Sequence, residues 1–328
     1  MMRHIVSALV LLLLVSLFCI PCTAEQNNGP VIGIAWIPET QIKKYAQIET
    51  VIKEAGGIPM RIPQIVTNAL VYDEELNIVD EALEESGMLK LEYANQVKEC
   101  DFSLTEIENI MKDVDGVIFM GGEDIRPTLF RISEEEKNFG ETINATRDVS
   151  DYLLMAYCLE NDIPMLAICR GKQMLAIVSG GSLIQDIPHY YAEMGKVDQN
   201  AHRIPAGIKG RSYARHDIDI IDQNSLIYDI VGEETLENVS SWHHQSVIGI
   251  ENTLLKVTAT ATVDGIDIIE CIEREDLSFC MGIQFHPEND CVKVLVDNQP
   301  EKVLCDYEHC IAFFEALVRA ACARESNI

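Results

Sequence analysis

Pro164-Met165-Leu166-Ala167-Ile168-Cys169-Arg170-Gly171-Lys172-Gln173 is the stretch from which the rest of the chain is read. Four apolar residues run from a proline into a cysteine, a glycine follows two positions later, and helix-spaced apolar residues begin at Met174, Leu175, Ile177 and Val178. A short apolar run bounded by proline predicts a buried strand. The chain therefore goes strand, tight turn, helix, with Cys169 at the turn. Small residues flank a nucleophile in such an elbow because its backbone is strained and other backbone passes close by. A thiol at a helix N-terminus sits in a positive field that favours the thiolate, the attacking form. A lone cysteine at a strand end is more often structural, so the decision rests on what the remaining sequence offers it.

Upstream, Pro30 to Trp36 predicts a first buried strand. Thr40 is placed to cap a helix with apolar positions Ile42, Tyr45, Ile48, Val51 and Ile52, ended by Gly56-Gly57. Ile58 to Ile62 predicts a second strand, and strand–helix–strand order implies parallel pairing. Thr67 to Glu99 is acidic and partly helical, and is predicted to be an insertion near the sheet edge. Leu104 to Met111 predicts a helix, Asp115 to Met120 a third strand ending at Gly121-Gly122, and Thr146 to Leu159 an amphipathic helix leading into the elbow strand. Downstream, alternation from His216, the Thr-rich run Lys256 to Thr262, and Asp264-Gly265 followed by Ile266 to Ile272 predict antiparallel strands. Phe279 to Phe285 is a further strand, and a helix from Tyr307 to Arg319 closes the chain. The expected fold is α/β: a doubly wound, mostly parallel sheet flanked by helices, with an additional antiparallel segment.

The N-terminus has a different character. Arg3 precedes an apolar run, Ile5 to Phe18, and Cys19-Ile20-Pro21-Cys22-Thr23-Ala24 follows. A basic start, a short apolar core and a small residue before a polar stretch predict a signal peptide, residues 1–24, and an exported, periplasmic or secreted protein. The run is shorter than the ~20 residues of a spanning helix, and no Leu-small-small pattern precedes Cys19 or Cys22, so an uncleaved anchor or a lipoprotein fits less well. Residues 25–328 then form a single domain carrying the 67–99 insertion. The formal net charge is −28, which argues against nucleic acid or anionic lipid as partner. The acidity concentrates in Asp73–Glu108 and Glu123–Asp151, expected to be solvated helix faces and loops. Nine of the eleven cysteines lie beyond residue 24, six of them after residue 270. An odd number in an exported chain implies a free thiol, with room for bridges in the C-terminal segment.

A cysteine nucleophile needs a base, and the base needs a group to hold it. Gly282-Ile283-Gln284-Phe285-His286-Pro287-Glu288 supplies both. Pro287 biases its predecessor to an extended conformation, which puts His286 and Glu288 on one side of the chain. The carboxylate then accepts a hydrogen bond from Nδ1–H and leaves Nε2 for the thiol. Backbone N–H groups at Arg170 and at the Gly121-Gly122 turn are placed to form an oxyanion hole. His243-His244 is expected in a strand, where adjacent side chains face opposite ways, so one at most faces the site. No Cys-x-x-Cys occurs beyond residue 24 and no third ligand lies at useful spacing from the two histidines, so no metal and no cofactor is expected. Arg126 is a candidate to pair bidentately with a substrate carboxylate.

Five motifs occur in order: Gly121-Gly122-x-Asp124, Ile168-Cys169-Arg170-Gly171-x-Gln173, Gly180-Gly181-Ser182-Leu183-x-Gln185-Asp186, His243-His244-Gln245 and Gly282 to Glu288. From Pro30 to Glu288 the chain resembles the class I glutamine amidotransferase-like superfamily, within it the peptidase C26 group, and most of all the γ-glutamyl-γ-aminobutyrate hydrolases. The resemblance implies a flavodoxin-like fold and a nucleophile at Cys169. It makes His286 base and then acid, with Glu288 as the orienting residue. Gly122 and Arg170 become oxyanion donors, and Gln173 and one of His243 and His244 line the substrate pocket. It implies cleavage of a small-molecule γ-glutamyl amide through a cysteine thioester. The acidic charge predicts no nucleic-acid partner, and signal cleavage predicts no stable membrane insertion; a homodimer is compatible with both. The alternatives are a glutaminase subunit of an amidotransferase and a non-catalytic binding protein on the same scaffold. The chain departs from the family pattern at Ala167, which is small enough for the turn, and at Ala176 and Ser240-Ser241, which leave the three reacting side chains in place and bear on substrate specificity.

Overall fold

The computed structural model describes residues 29–130, 142–204 and 213–325. The N-terminal signal segment expected at 1–24 lies outside them. Its centre is a nine-stranded sheet whose parallel half is β2 (Ile58–Arg61), β1 (Val31–Ile34), β3 (Gly116–Phe119), β4 (Met165–Ile168) and a later strand, Cys280–Ile283. The chain steps from β1 to β2 and returns on the other side of β1 to β3, so the winding direction switches between β1 and β3. Ligands of such sheets bind at the carboxyl ends of the strands near this point. Five further strands follow β4: β5 (Ser182–Ile184), β6 (Ala214–Ile220), β7 (Thr235–Ser241), β8 (Ser246–Ile248) and β9 (Lys256–Val263). Then come β10 (Ile266–Glu273) and β11 (Cys280–Ile283). The sheet continues from β11 through β10, β9, β6 and β7 with antiparallel pairing, and β5 and β8 form a separate two-stranded pair.

The central strands are apolar at every position because both their faces are covered. Ile118, Leu166 and Ile168 point into one core with α1 (Ile42–Glu54), α8 (Pro287–Leu295) and α9 (Tyr307–Glu325). Val117, Phe119, Met165 and Ala167 point into the other with α4 (Ala145–Glu160) and α5 (Arg170–Val178). The remaining helices are α2 (Leu91–Lys98), α3 (Ile107–Met111), α6 (Ile187–Glu193) and α7 (Leu226–Val231). Segment 67–99 is short turns and bridges followed by α2. Leu70, Ile78, Leu89 and Val97 seal it into the second core, and the Ile78 N–H donates to Thr146 Oγ1 on α4 at 3.1 Å.

Two local expectations are corrected. Thr40 does not cap α1: it lies in a 3-10 turn, Glu39–Gln41, and the capping position is Gln41, whose amide donates to Glu123 instead. The cysteines of the described residues are unbridged: all nine are free and seven are buried. Cys291 on α8, Cys305 before α9 and Cys310 on α9 are packed as small apolar side chains in the first core. Alkylation of the denatured, unreduced protein should therefore label all nine, read as intact mass; any pair protected until reductant is added would contradict this packing.

Candidate active site

Three strand ends meet at one point. β4 delivers Cys169, β3 delivers Gly121-Gly122, and β11 delivers His286. Cys169 has φ 52° and ψ −101°, a conformation that only glycine adopts without strain, and α5 starts at the next residue. Cys169 is 6% exposed. Its sulfur lies 4.0 Å from the Trp242 carbonyl and 3.5 Å from Gln284 Nε2. A Cβ on Gly121 would stand 2.7 Å from His286 Cε1 and 3.5 Å from Cys169 Cβ, so ring and thiol flank the same glycine. Arg170 N–H, in the first turn of α5, has no acceptor within the helix.

His286 Nδ1 is bonded to Glu288 Oε1 at 2.6 Å. The pair is made differently from the extended segment expected: His286 is the residue before α8, Pro287 opens the helix, and Glu288 is in its first turn. Proline suits that first position because its missing N–H would have no partner there. Burial works against protonating His286, but Glu288, then the Cys169 sulfur and Tyr213, hold its pKa well above the usual histidine value. The Tyr213 ring stands edge-on to the imidazole, centroids 5.3 Å apart.

Behind the elbow lies a buried charge network that the sequence does not advertise. Asn144 caps α4 by accepting from Arg147 N–H at 3.0 Å, which turns Arg147, Asp148 and Asp151 inward. Arg170 bonds both Asp148 and Asp151. Arg147 reaches Glu123 Oε2 at 2.6 Å and the Met120 and Gly121 carbonyls at 3.1 and 3.3 Å. The acidic stretch ending at Asp151 is thus not wholly a solvated face: Asp148 and Asp151 are buried, and burial pushes the Asp148 carboxyl up to about 6 against the pull of Arg170. The network ties the glycine turn to the elbow helix. A Cβ on Gly122 would fall 1.8 Å from Arg147 Nη1, so a side chain there would break it.

Two cavities meet at the sulfur. One, about 270 Å³, is lined by Gly121, Gly122, Cys169, Tyr213, His286 and Glu288, among others. The other, about 720 Å³, is lined by Gln173, Asp124, Lys43, Arg203, His243 and His244 together with Cys169 and Gly122. Gln173 donates to the Gln245 carbonyl at 3.2 Å. His243-His244 lies in a bend rather than a strand, so the opposite-faces rule does not apply and both border this cavity. Burial opposes charge on His244, but hydrogen bonds to Asp124 (3.1 Å) and Asp186 (3.0 Å) carry its pKa up to about 9. His243 is pushed down to about 4 by burial. Arg126 is buried at the start of a 3-10 turn and lines neither cavity, so the structure does not bring it to the site.

Sequence reading passed over Lys172 and Gln284, which share in positioning the sulfur. The buried Lys172 ammonium, its pKa pushed down to about 8 by burial, bonds the Ile269 carbonyl and Gln284 Oε1. An ammonium only donates, so the amide oxygen of Gln284 faces it and the amide N–H₂ faces Cys169. It also passed over His202, His216 and Glu270, which gather around His243.

The peptidase C26 family profile matches residues 101–288. Protein NtpR of Enterococcus hirae is 32% identical over 175 residues, 53% of this chain and 67% of its own. Gamma-glutamyl-gamma-aminobutyrate hydrolase PuuD of Escherichia coli K12 is 23% identical over 268 residues, 80% of this chain and 86% of its own. Among solved structures, a Thermoplasma acidophilum protein provisionally assigned to GMP synthase superposes with a TM-score of 0.50 at 12% identity, covering 92% of this chain and 98% of its own. At that identity the likeness shows the fold, that of the class I glutamine amidotransferases.

Asp151 is the carboxylate between both guanidinium groups, 3.5 Å from Arg147 Nε and bonded to Arg170. Asp151→Ala should leave two buried cations short of a partner and lower stability by about 3–5 kcal/mol, measured by urea unfolding.

Proposed function

The chain belongs to the peptidase C26 family, and from that premise we propose that this glutamine amidotransferase-like hydrolase cleaves a γ-glutamyl amide through a thioester on Cys169. The observation that carries the reading is the strained elbow cysteine sharing one cavity wall with an imidazole whose far nitrogen is bonded to Glu288.

In this reading the Cys169 thiolate attacks the γ-carbonyl carbon. The oxyanion that forms is held by the Gly122 and Arg170 N–H groups. His286, protonated on both nitrogens, gives its Nε2 proton to the leaving amine as the C–N bond breaks, and the thioester remains. The neutral imidazole then takes a proton from water, which attacks the thioester and releases glutamate and the free thiol. The larger cavity suits the acyl group: Gln173 lies there, and acidic Asp124 and basic Lys43 and Arg203 offer both charges an α-amino acid head requires. The smaller cavity, on the His286 side, suits the departing amine. With export through residues 1–24, γ-glutamyl peptides and peptidoglycan-derived γ-glutamyl fragments are the substrates within reach.

The purified chain, given a panel of γ-glutamyl conjugates and glutamine without any partner protein, should hydrolyse at least one conjugate. Cys169→Ala should lower that rate by about 10³-fold or more. Turnover of glutamine alone would point to a glutaminase subunit, and a wild-type rate no higher than that of Cys169→Ala would sink the hydrolase. The pH profile gives a second check. The protonated imidazole is the working form for amine expulsion, so activity should fall as pH rises through the raised His286 pKa. Glu288→Gln removes the charge that raises it, so the alkaline limb of kcat/KM should move to lower pH.

A further inference from the structure

We infer that His202, His216, His243 and Glu270 form a closed, tetrahedral binding site for a divalent first-row cation of the zinc type, a structural site beneath the substrate pocket. One ligand atom from each of the four lies within 4.8 Å of all the others. Glu270 Oε1 is 3.5 Å from His202 Nδ1, 3.5 Å from His243 Nε2 and 3.8 Å from His216 Nε2. These separations exceed hydrogen-bond length. They approach the roughly 3.3–3.4 Å between neighbouring ligands of a tetrahedral ion with bonds of 2.0–2.1 Å.

The four atoms that face one another, Glu270 Oε1, His202 Nδ1, His216 Nε2 and His243 Nε2, are buried with no hydrogen-bond partner among the described residues. Glu270 Oε2 and His202 Nε2 are buried and unpartnered as well. The four side chains are between 0% and 8% exposed. A carboxylate buried in that condition is costly unless an ion or a donor meets it. The nearby Lys172 spends its hydrogen bonds on Ile269 and Gln284.

Two of the three imidazoles, His216 and His243, make the outer contacts of metal-binding histidines. His216 Nδ1 is 3.1 Å from the Asp217 carbonyl and His243 Nδ1 is 2.9 Å from the Gln245 carbonyl. A carbonyl only accepts, so Nδ1 carries the proton in both and the Nε2 lone pair is turned to the centre. The backbone is adapted as well. Glu270 falls where β10 slips register against β9, between Ile269 and Cys271, and His216 falls where β6 slips against β7. Such bulges re-aim side chains. A cavity of about 70 Å³ is bordered by His202 and His243. Three imidazoles and one carboxylate fill four positions and leave none open, which favours a structural role and tetrahedral Zn²⁺ over ions that demand six oxygens.

The site would pin the Trp242–Gln245 bend, because His243 supplies a ligand and its N–H donates to the His202 carbonyl at 3.0 Å. The test is metal content of the full chain after equilibration with Zn²⁺ and removal of loose metal by gel filtration. About one zinc per chain is expected, with Zn–N/O distances near 2.0–2.1 Å by X-ray absorption. His216→Ala and Glu270→Gln should each weaken Zn²⁺ binding by more than the ~10–100-fold that loss of an outer-shell partner costs, while Cys169→Ala keeps it. Should those variants fail to fold, Co²⁺ in the wild-type chain decides. Tetrahedral d–d bands without thiolate charge transfer support the site; thiolate charge transfer would place the ion on cysteines and overturn it. Stoichiometry near zero, or full retention in folded His216→Ala, would overturn it equally.

Discussion

Cys169 is a non-glycine residue held in backbone space that costs of order 1–3 kcal/mol, and its surroundings are arranged to keep it there. Its N–H donates to the Ile283 carbonyl at 2.7 Å, which registers β4 against β11, and its carbonyl accepts from Gln173 at 3.1 Å, which starts α5. The next side chain, Arg170, is clamped by two carboxylates of α4. The turn cannot relax without breaking a strand pairing, a helix start or a buried ion pair. Strain placed where three elements over-determine it presents the thiol above the sheet, at the place where the Gly122 and Arg170 N–H groups and the His286 ring also arrive.

The charge network sets how closely those groups arrive. Arg147 holds the Met120 and Gly121 carbonyls while its other nitrogens reach Glu123 and Asp151. The glycine turn is thus fastened to the same aspartate that fastens the elbow helix. Fully buried ion pairs contribute little net stability once desolvation is counted. Their use here is geometric: two backbone donors from different strands keep one spacing.

The parts of the molecule legible in the sequence follow from period and punctuation. Val117 to Phe119 and Met165 to Ile168 announced strands because a sheet buried on both faces leaves no polar position, and His286-Pro287-Glu288 announced its pairing even though the backbone there is a helix start. What stayed hidden depends on non-local geometry. Arg147, Asp148 and Asp151 read as a solvated helix face because sequence cannot say that Arg170 waits opposite. Segment 67–99 lacks a period because its apolar residues fill gaps over α4 rather than line a helix stripe. Arg126 was a reasonable carboxylate clamp by residue type, yet the 3-10 turn that follows buries it away from both cavities.

The histidine–glutamate cluster marks the same limit more sharply. Metal sites are legible when their ligands sit on one short loop or one helix face; here they come from a loop, two strands of the antiparallel half and the bend after β7. Only the sheet order β10-β9-β6-β7 brings them together. The Glu270 carbonyl accepts from Gln284 N–H at 2.8 Å, and the Gln284 amide lies 3.5 Å from the Cys169 sulfur. The cluster and the thiol are thus joined by a single residue on the sheet, while His243 also borders the larger cavity. The antiparallel half of the sheet is therefore more than an extension of the parallel half: the bend after β7 carries His243 and His244 to the border of the larger cavity.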